Sequence, residues 1–246
     1  MRDERQARQL AIETRMSLGL QSTEHCDVDR ALVSLGVTCI KRPLESAMSG
    51  ATLKTERVRL ILVNTNKTLG HQHFTIAHEL YHVLHDEHLA TVACRVETFE
   101  KASNSEQVAD AFAVHLLMPE DAVLHQLRLR KREGRELTVA DVVHLEQFFG
   151  VSRKTMCWRL EDLGLIKRDQ EDRLCRNVIQ SAKSLGKSID LYKATGATGL
   201  VSDYAEKAAE ALDKGLITES RYEELLADAG LLEEVTGGAE VADVVD

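Results

Sequence analysis

The chain has 246 residues, with 31 Lys and Arg against 40 Asp and Glu for a net charge of −9, and 43% hydrophobic but only 4% aromatic residues. Such a composition supports one sizeable, mainly aliphatic core with a small appendage, and no apolar stretch approaches bilayer-spanning length. The first ten residues, Met1 to Leu10, are charged and lack the apolar run of a secretory signal. Five scattered cysteines (Cys26, Cys39, Cys94, Cys157, Cys175) without a C-x-x-C pair read as reduced, mostly buried thiols, so a soluble cytoplasmic protein is expected.

In chain order, residues 1–35 read as two helices, the second carrying Val28, Ala31, Leu32 and Leu35. Gly36 punctuates, and Val37–Lys41 reads as a short strand. Pro43 to Lys54 is loop-like, and Val58–Val63 (VRLILV) is the strongest strand pattern in the chain. It is expected at a sheet edge beside the following helix, where a peptide can be added as another strand.

That following helix carries the most informative motif, His78-Glu79-Leu80-Tyr81-His82. Phe74, Ala77, Leu80, Tyr81 and Leu84 form an apolar stripe beside it, and no Pro or Gly interrupts Phe74 to Leu89. Histidines four residues apart lie about 40° apart around a helix, so both imidazoles can reach one ion. Glu79 is about 100° round from His78, beside the ion, where it can take a proton from the attacking water.

A catalytic zinc usually has three protein ligands. Glu106, about two dozen residues later, is placed to be the third if one helix ends and a second returns alongside. Ser103-x-x-Glu106 also fits a capping box in which Glu106 satisfies a backbone N–H, and spacing leaves both readings open. Asp110 shares the Glu106 face and could accept the second ring N–H of a ligating histidine, or be a solvated helix carboxylate. Pro119 closes this helix.

Arg128 to Arg135 is a basic run that reads as a solvated helix end rather than a nucleic-acid patch. Residues 138–165 form a helical pair around Gly150-Val151-Ser152, with Thr138 and Asp141 as a cap and Leu145, Phe148, Phe149, Met156, Leu160 and Leu163 as its apolar positions. The turn suggests a helix-turn-helix unit whose second helix would open on Arg153-Lys154. Glu146, Glu161 and Asp162 would oppose phosphates, so direct nucleic-acid binding is not expected. Beyond Ile166 the sequence turns polar, with a loop region from Gly186 to Gly199. Residues 202–232 regain helical spacing as two short helices split at Lys214-Gly215, the second capped by Thr218, and residues 236–246 read as disordered. Residues 171–246 hold eight Lys and Arg against sixteen Asp and Glu, nearly all of the net charge.

The segments Phe74 to His82 (FTIAHELYH) and Glu106 to Pro119 (EQVADAFAVHLLMP) resemble the ImmA/IrrE family of zinc metallopeptidases, and the resemblance runs from about Leu32 to Ile166. It implies Glu106 as the third zinc ligand with His78 and His82, and Glu79 as the catalytic base. Three positions depart from the family pattern: Tyr81 stands for a glycine, Asp110 for an asparagine and His73 for an arginine. The oxyanion-stabilising group stays open among Tyr81, His71, His73, His85, His88 and His115.

The fold expected is α+β: a mostly helical metallopeptidase core with a small β-sheet over residues 1–127, a helix-turn-helix-like pair over 128–168, an acidic helical region over 169–235 and a disordered tail over 236–246. The resemblance further implies an endopeptidase that cleaves a protein substrate, a helix-turn-helix repressor, in a stress or mobile-element response. The alternative is a non-hydrolytic, zinc-containing regulator that binds a repressor or DNA.

Overall fold

The computed structural model describes residues 2–86, 91–94 and 104–231. A five-stranded mixed sheet in the order β4-β2-β3-β1-β5 is covered by helices, in agreement with an α+β fold of mostly helical content. Helices α1 (Arg2–Ser17) and α2 (Val28–Ser34) lead into β1 (Thr38–Arg42), β2 (Gly50–Lys54) and β3 (Arg59–Asn64). Then come α3 (Leu69–His85), β4 (Thr91–Cys94), α4 (Asn104–Leu117) and α5 (Glu120–Leu129). Among the described residues, no helix is long and apolar enough to cross a membrane.

Two expectations about the sheet are corrected. The stretch expected as loop from Pro43 to Lys54 ends in a strand: Gly50–Lys54 pairs antiparallel with β3, from Gly50 opposite Val63 to Lys54 opposite Arg59. Its short, mixed sequence carries little intrinsic strand signal, and cross-strand pairing supplies what propensity does not. The strand in Val58–Val63 is also not an edge. β3 has β2 on one side and β1, parallel to it, on the other, and its apolar run buries Ile61 and Val63 fully and Leu60 and Leu62 in part. Among the described residues the sheet ends instead at β4 and β5.

Helix α3 lies against the sheet with twelve buried residues, among them Phe74, Ile76, Ala77, Leu80 and Val83. On its other side α4 contributes Val108, Ala109, Phe112, Ala113 and Leu116 to the same core. Tyr81, standing where the family pattern has glycine, is buried as part of this interface, its ring 5.8 Å from Phe112 and 6.0 Å from His85.

Past α5, helices α6 (Val139–Phe149) and α7 (Arg153–Asp162) form the expected pair around Gly150. Gly150 closes α6 in the left-handed region at φ 66°, and Ser152 caps α7 by accepting from the Thr155 N–H. The turn is fixed to the start of α3, because the His73 ring Nδ1–H donates to the Gly150 carbonyl at 2.8 Å. Asp141, fully buried, accepts from the Thr138 backbone N–H and hydroxyl and from Arg130 and Arg132, each guanidinium Nε 3.0 Å away. The basic run is therefore not simply a solvated helix end; two of its arginines neutralise a buried carboxylate.

The same region departs from a DNA-reading unit. Arg153 is buried against Glu146 with Nε to Oε2 at 2.5 Å, and its Nη1 donates to the Leu174 carbonyl at 2.8 Å. Glu146 also accepts the Tyr192 hydroxyl. These contacts dock a polar stretch in which the sequence shows no helix: α8 (Arg168–Cys175), α9 (Val178–Ser184) and the 3-10 turn Asp190–Tyr192. Within the expected Gly186–Gly199 loop region that turn is followed by β5 (Gly199–Val201), which pairs antiparallel with β1. Helices α10 (Tyr204–Asp213) and α11 (Glu219–Asp228) follow, with the Thr218 hydroxyl accepting from the Arg221 N–H. The tail at 236–246 lies outside the described residues.

Removing one partner of a buried ion pair strands the other charge. Arg153→Met should therefore cost about 3–5 kcal/mol in urea unfolding, and Arg153→Met with Glu146→Leu should recover much of that loss.

Candidate metal centre

Helix α3 brings His78 and His82 to one face, one turn apart, with ring centroids 5.1 Å from each other. Glu106, in the first turn of α4, meets both: its Oε2 lies 3.2 Å from His78 Nε2 and its Oε1 lies 3.3 Å from His82 Nε2. The three residues offer donor atoms within 4.8 Å of one another. Four donors at about 2.0–2.1 Å around a tetrahedral ion stand about 3.3 Å apart, so the observed spacing suits a single small ion. Ser103, the other half of the capping-box reading, lies outside the described residues.

The far nitrogen of each imidazole decides which atom is left for a ligand. His78 Nδ1 is 2.8 Å from Asp110 Oδ1, and His82 Nδ1 is 3.4 Å from Asp86 Oδ2. An ionised carboxylate can only accept, so in both rings Nδ1 carries a proton, and Nε2 is the atom that would present a lone pair to an ion. Asp110, standing where the family pattern has asparagine, thus gives a full negative charge behind His78, which raises the basicity of Nε2. Contact with His78 and His82 holds the Glu106 carboxyl far below the usual carboxylate range, against the opposing effect of burial. Two neutral imidazoles and an anionic carboxylate make a donor set that can hold a metal.

Glu79 belongs to the same helix but turns towards the sheet. It is fully buried, and its Oε2 accepts from the Thr52 hydroxyl at 2.6 Å. β2 passes so close that a Cβ on Gly50 would stand 2.6 Å from the Thr75 methyl and 2.9 Å from Glu79 Oε1. Glycine is required at this position by that approach.

The sequence reading missed three contributors. Asp86 ends α3 in an extended conformation, its N–H returning to the His82 carbonyl and its carboxylate also accepting the Ser105 hydroxyl at 2.9 Å. Its spacing of four from His82 is a signal that could have been read. Gly50 and Thr52 could not have been found so, because they reach Glu79 through strand register. The histidines left open as oxyanion groups have other attachments. The His71 ring meets Ser49 Oγ at 2.9 Å, and His73 holds Gly150. His85 packs edge-on against Phe112, and His115 is pushed down to about 4 by burial and by the nearby Arg159 and Arg8. His88 lies outside the described residues.

With this geometry in hand, the comparisons with known proteins are decisive at the level of family. Residues 33–161, more than half of the chain, match the IrrE N-terminal-like domain, a peptidase family. The chain belongs to this family. Its membership places the protein among metallopeptidases, and the matched segment contains His78, Glu79, His82, Glu106 and Asp110. No curated protein matches the chain significantly.

Metal content measured on protein purified without chelators should approach one divalent ion per chain in wild type. It should be lost or sharply reduced in Glu106→Gln, whose amide keeps the shape but not the charge.

Proposed function

We propose that this IrrE-like protein is a zinc-dependent endopeptidase that cleaves a protein substrate, a helix-turn-helix transcriptional repressor, in a stress or mobile-element response. The observation that carries the hydrolytic reading is a donor set of His78, His82 and Glu106 next in sequence to a buried, hydroxyl-oriented Glu79. Among the described residues these three donors are the whole cluster, and structural zinc sites are closed by four. His78, His82 and Glu106 would hold the ion. When bound, zinc supplies a Lewis acid that lowers the pKa of a water and polarises a scissile carbonyl.

The chain's own residues account for the remaining chemistry. Glu79 accepts the proton of the attacking water and passes it to the leaving amine. The Thr52 hydroxyl, donating to Oε2, fixes the rotamer of the buried Glu79. Asp110 and Asp86 hold the two imidazoles in the tautomer that leaves Nε2 as donor. Among the described residues β4 ends the sheet one strand beyond β2, with Val92 in register with Thr52, and a substrate strand could be added at that edge.

The repressor substrate rests on the resemblance of the two motif segments to proteins that act on such regulators. Burial of Arg153 in an ion pair speaks against the DNA-binding alternative, because the residue that would open a recognition helix is occupied inside the protein.

The test is cleavage of purified helix-turn-helix repressors from the same genome, followed by mass spectrometry, with and without a chelator. Glu79→Gln should retain metal and lose cleavage by about 10²–10⁴-fold; full activity in that variant would remove Glu79 from the chemistry. Thr52→Val should lower kcat about tenfold with little change in KM, the worth of one hydrogen bond, and Thr52→Ser should restore it.

A further inference from the structure

Away from the metal centre, two cysteines 18 residues apart in sequence meet side by side. Cys157 of α7 and Cys175, the last residue of α8, have their Sγ atoms 2.8 Å apart. A covalent S–S bond is about 2.05 Å long, so less than an ångström separates this contact from a bond. We propose that Cys157 and Cys175 are a modification site: a dithiol that closes to an intramolecular disulfide on exposure to a peroxide and clips α8 onto α7.

The approach does not depend on the sulfurs themselves. Arg153, one turn before Cys157, donates through Nη1 to the carbonyl of Leu174, the residue before Cys175. That guanidinium is fixed in turn by Glu146 and by the Ser181 hydroxyl of α9. The end of α8 is therefore held against α7 by a charged anchor, and the thiols are presented to each other by it. Their exposures differ usefully, Cys157 being fully buried and Cys175 half-buried, so one sulfur can meet an oxidant while the other waits. The other cysteines with described side chains are isolated: burial pushes the Cys26 thiol up to about 11 and the Cys39 thiol up to about 12. Contact with Cys175, together with burial, raises the Cys157 thiol as well.

The chemistry balances with hydrogen peroxide as the named oxidant. The Cys175 sulfur attacks one peroxide oxygen and the O–O bond breaks; the departing hydroxide takes the thiol proton and leaves as water, giving a sulfenic acid. The Cys157 sulfur then attacks Cys175 Sγ, the S–S bond forms and the S–O bond breaks. The leaving hydroxide takes the Cys157 proton as a second water. Two thiols are oxidised by two electrons, and one peroxide is reduced to two waters.

The consequence is mechanical. Beyond Cys175 the chain passes through extended Arg176 and Asn177, at φ 51°, into α9. A disulfide at this point ties the start of the C-terminal region to the helical pair covalently, where the reduced protein relies on the Arg153 anchor.

The experiment treats the reduced, desalted full chain with hydrogen peroxide, blocks remaining thiols with an alkylating agent and maps peptides by mass spectrometry. The result expected is one crosslink joining the peptides of Cys157 and Cys175 within a chain, reversible by dithiothreitol, with Cys26 and Cys39 still alkylated. Amide exchange in α8 should slow on oxidation. Cys175→Ser should abolish the crosslink and Cys39→Ser should leave it intact; if Cys175→Ser fails to fold by circular dichroism, the wild-type map alone decides. Accumulation of Cys175 sulfenic or sulfinic acid with Cys157 still alkylated would overturn the proposal. So would a crosslink between chains or to any other cysteine, and unchanged exchange in α8 would overturn the clip.

Discussion

Everything in this structure is arranged around the burial of three ionisable side chains on one helix. His78, Glu79 and His82 are each 1% exposed or less, and a polar group in such a place is costly unless it is partnered. Asp110 comes from α4, Asp86 from the residue after α3, Thr52 from β2, and Glu106 from the first turn of α4. A helix with polar residues at these positions is stable only if a second helix, a strand and its own terminus all arrive at set places. The site thus dictates the local fold as much as the fold presents the site. Gly50 is the clearest case, since a side chain there would push β2 away from α3 and take the Thr52 hydroxyl with it.

A second polar network fastens the remainder of the chain to this core. Glu146, Arg153, Tyr192, Leu174 and Ser181 belong to α6, α7, the 3-10 turn, α8 and α9, and they meet around one guanidinium. Arginine suits this role because its planar fork serves several acceptors at once and stays charged when buried. The link back to the candidate metal centre is short: the turn between α6 and α7 is bonded to His73, five residues before His78 on the same helix. A helix-turn-helix outline has here been given over to internal docking.

The sequence made the site more legible than the sheet. The spacing within FTIAHELYH dictates a buried helix with two histidines on one face, and the family resemblance added Glu106. The fold class followed from one strong strand among helical patterns. What stayed hidden has a common physical cause: it depends on which segments come together, not on periodicity within one. Gly50–Lys54 is a strand because β3 and β4 lie beside it, and VRLILV is interior for the same reason. Helices α8 and α9 are polar in sequence and are held through buried Leu174, Ala182 and the Arg153 anchor rather than by a broad apolar face. Asp86 was within reach of the i,i+4 rule, whereas no local pattern points from Thr52 to Glu79.

The short strand β5 bears on where this protein can be cut. The segment shared with the family ends at residue 161, yet Gly199–Val201 supplies the antiparallel partner of Cys39, Ile40 and Lys41 in β1. A chain shortened to the family segment would leave that side of β1 with a row of unanswered N–H and C=O groups, beside the buried Cys39 and the core it seals. Exposed strand edges of this kind recruit other chains. The residues between 166 and 201 are therefore more than a connection to the acidic C-terminal helices: they finish the sheet and guard its flank against self-association.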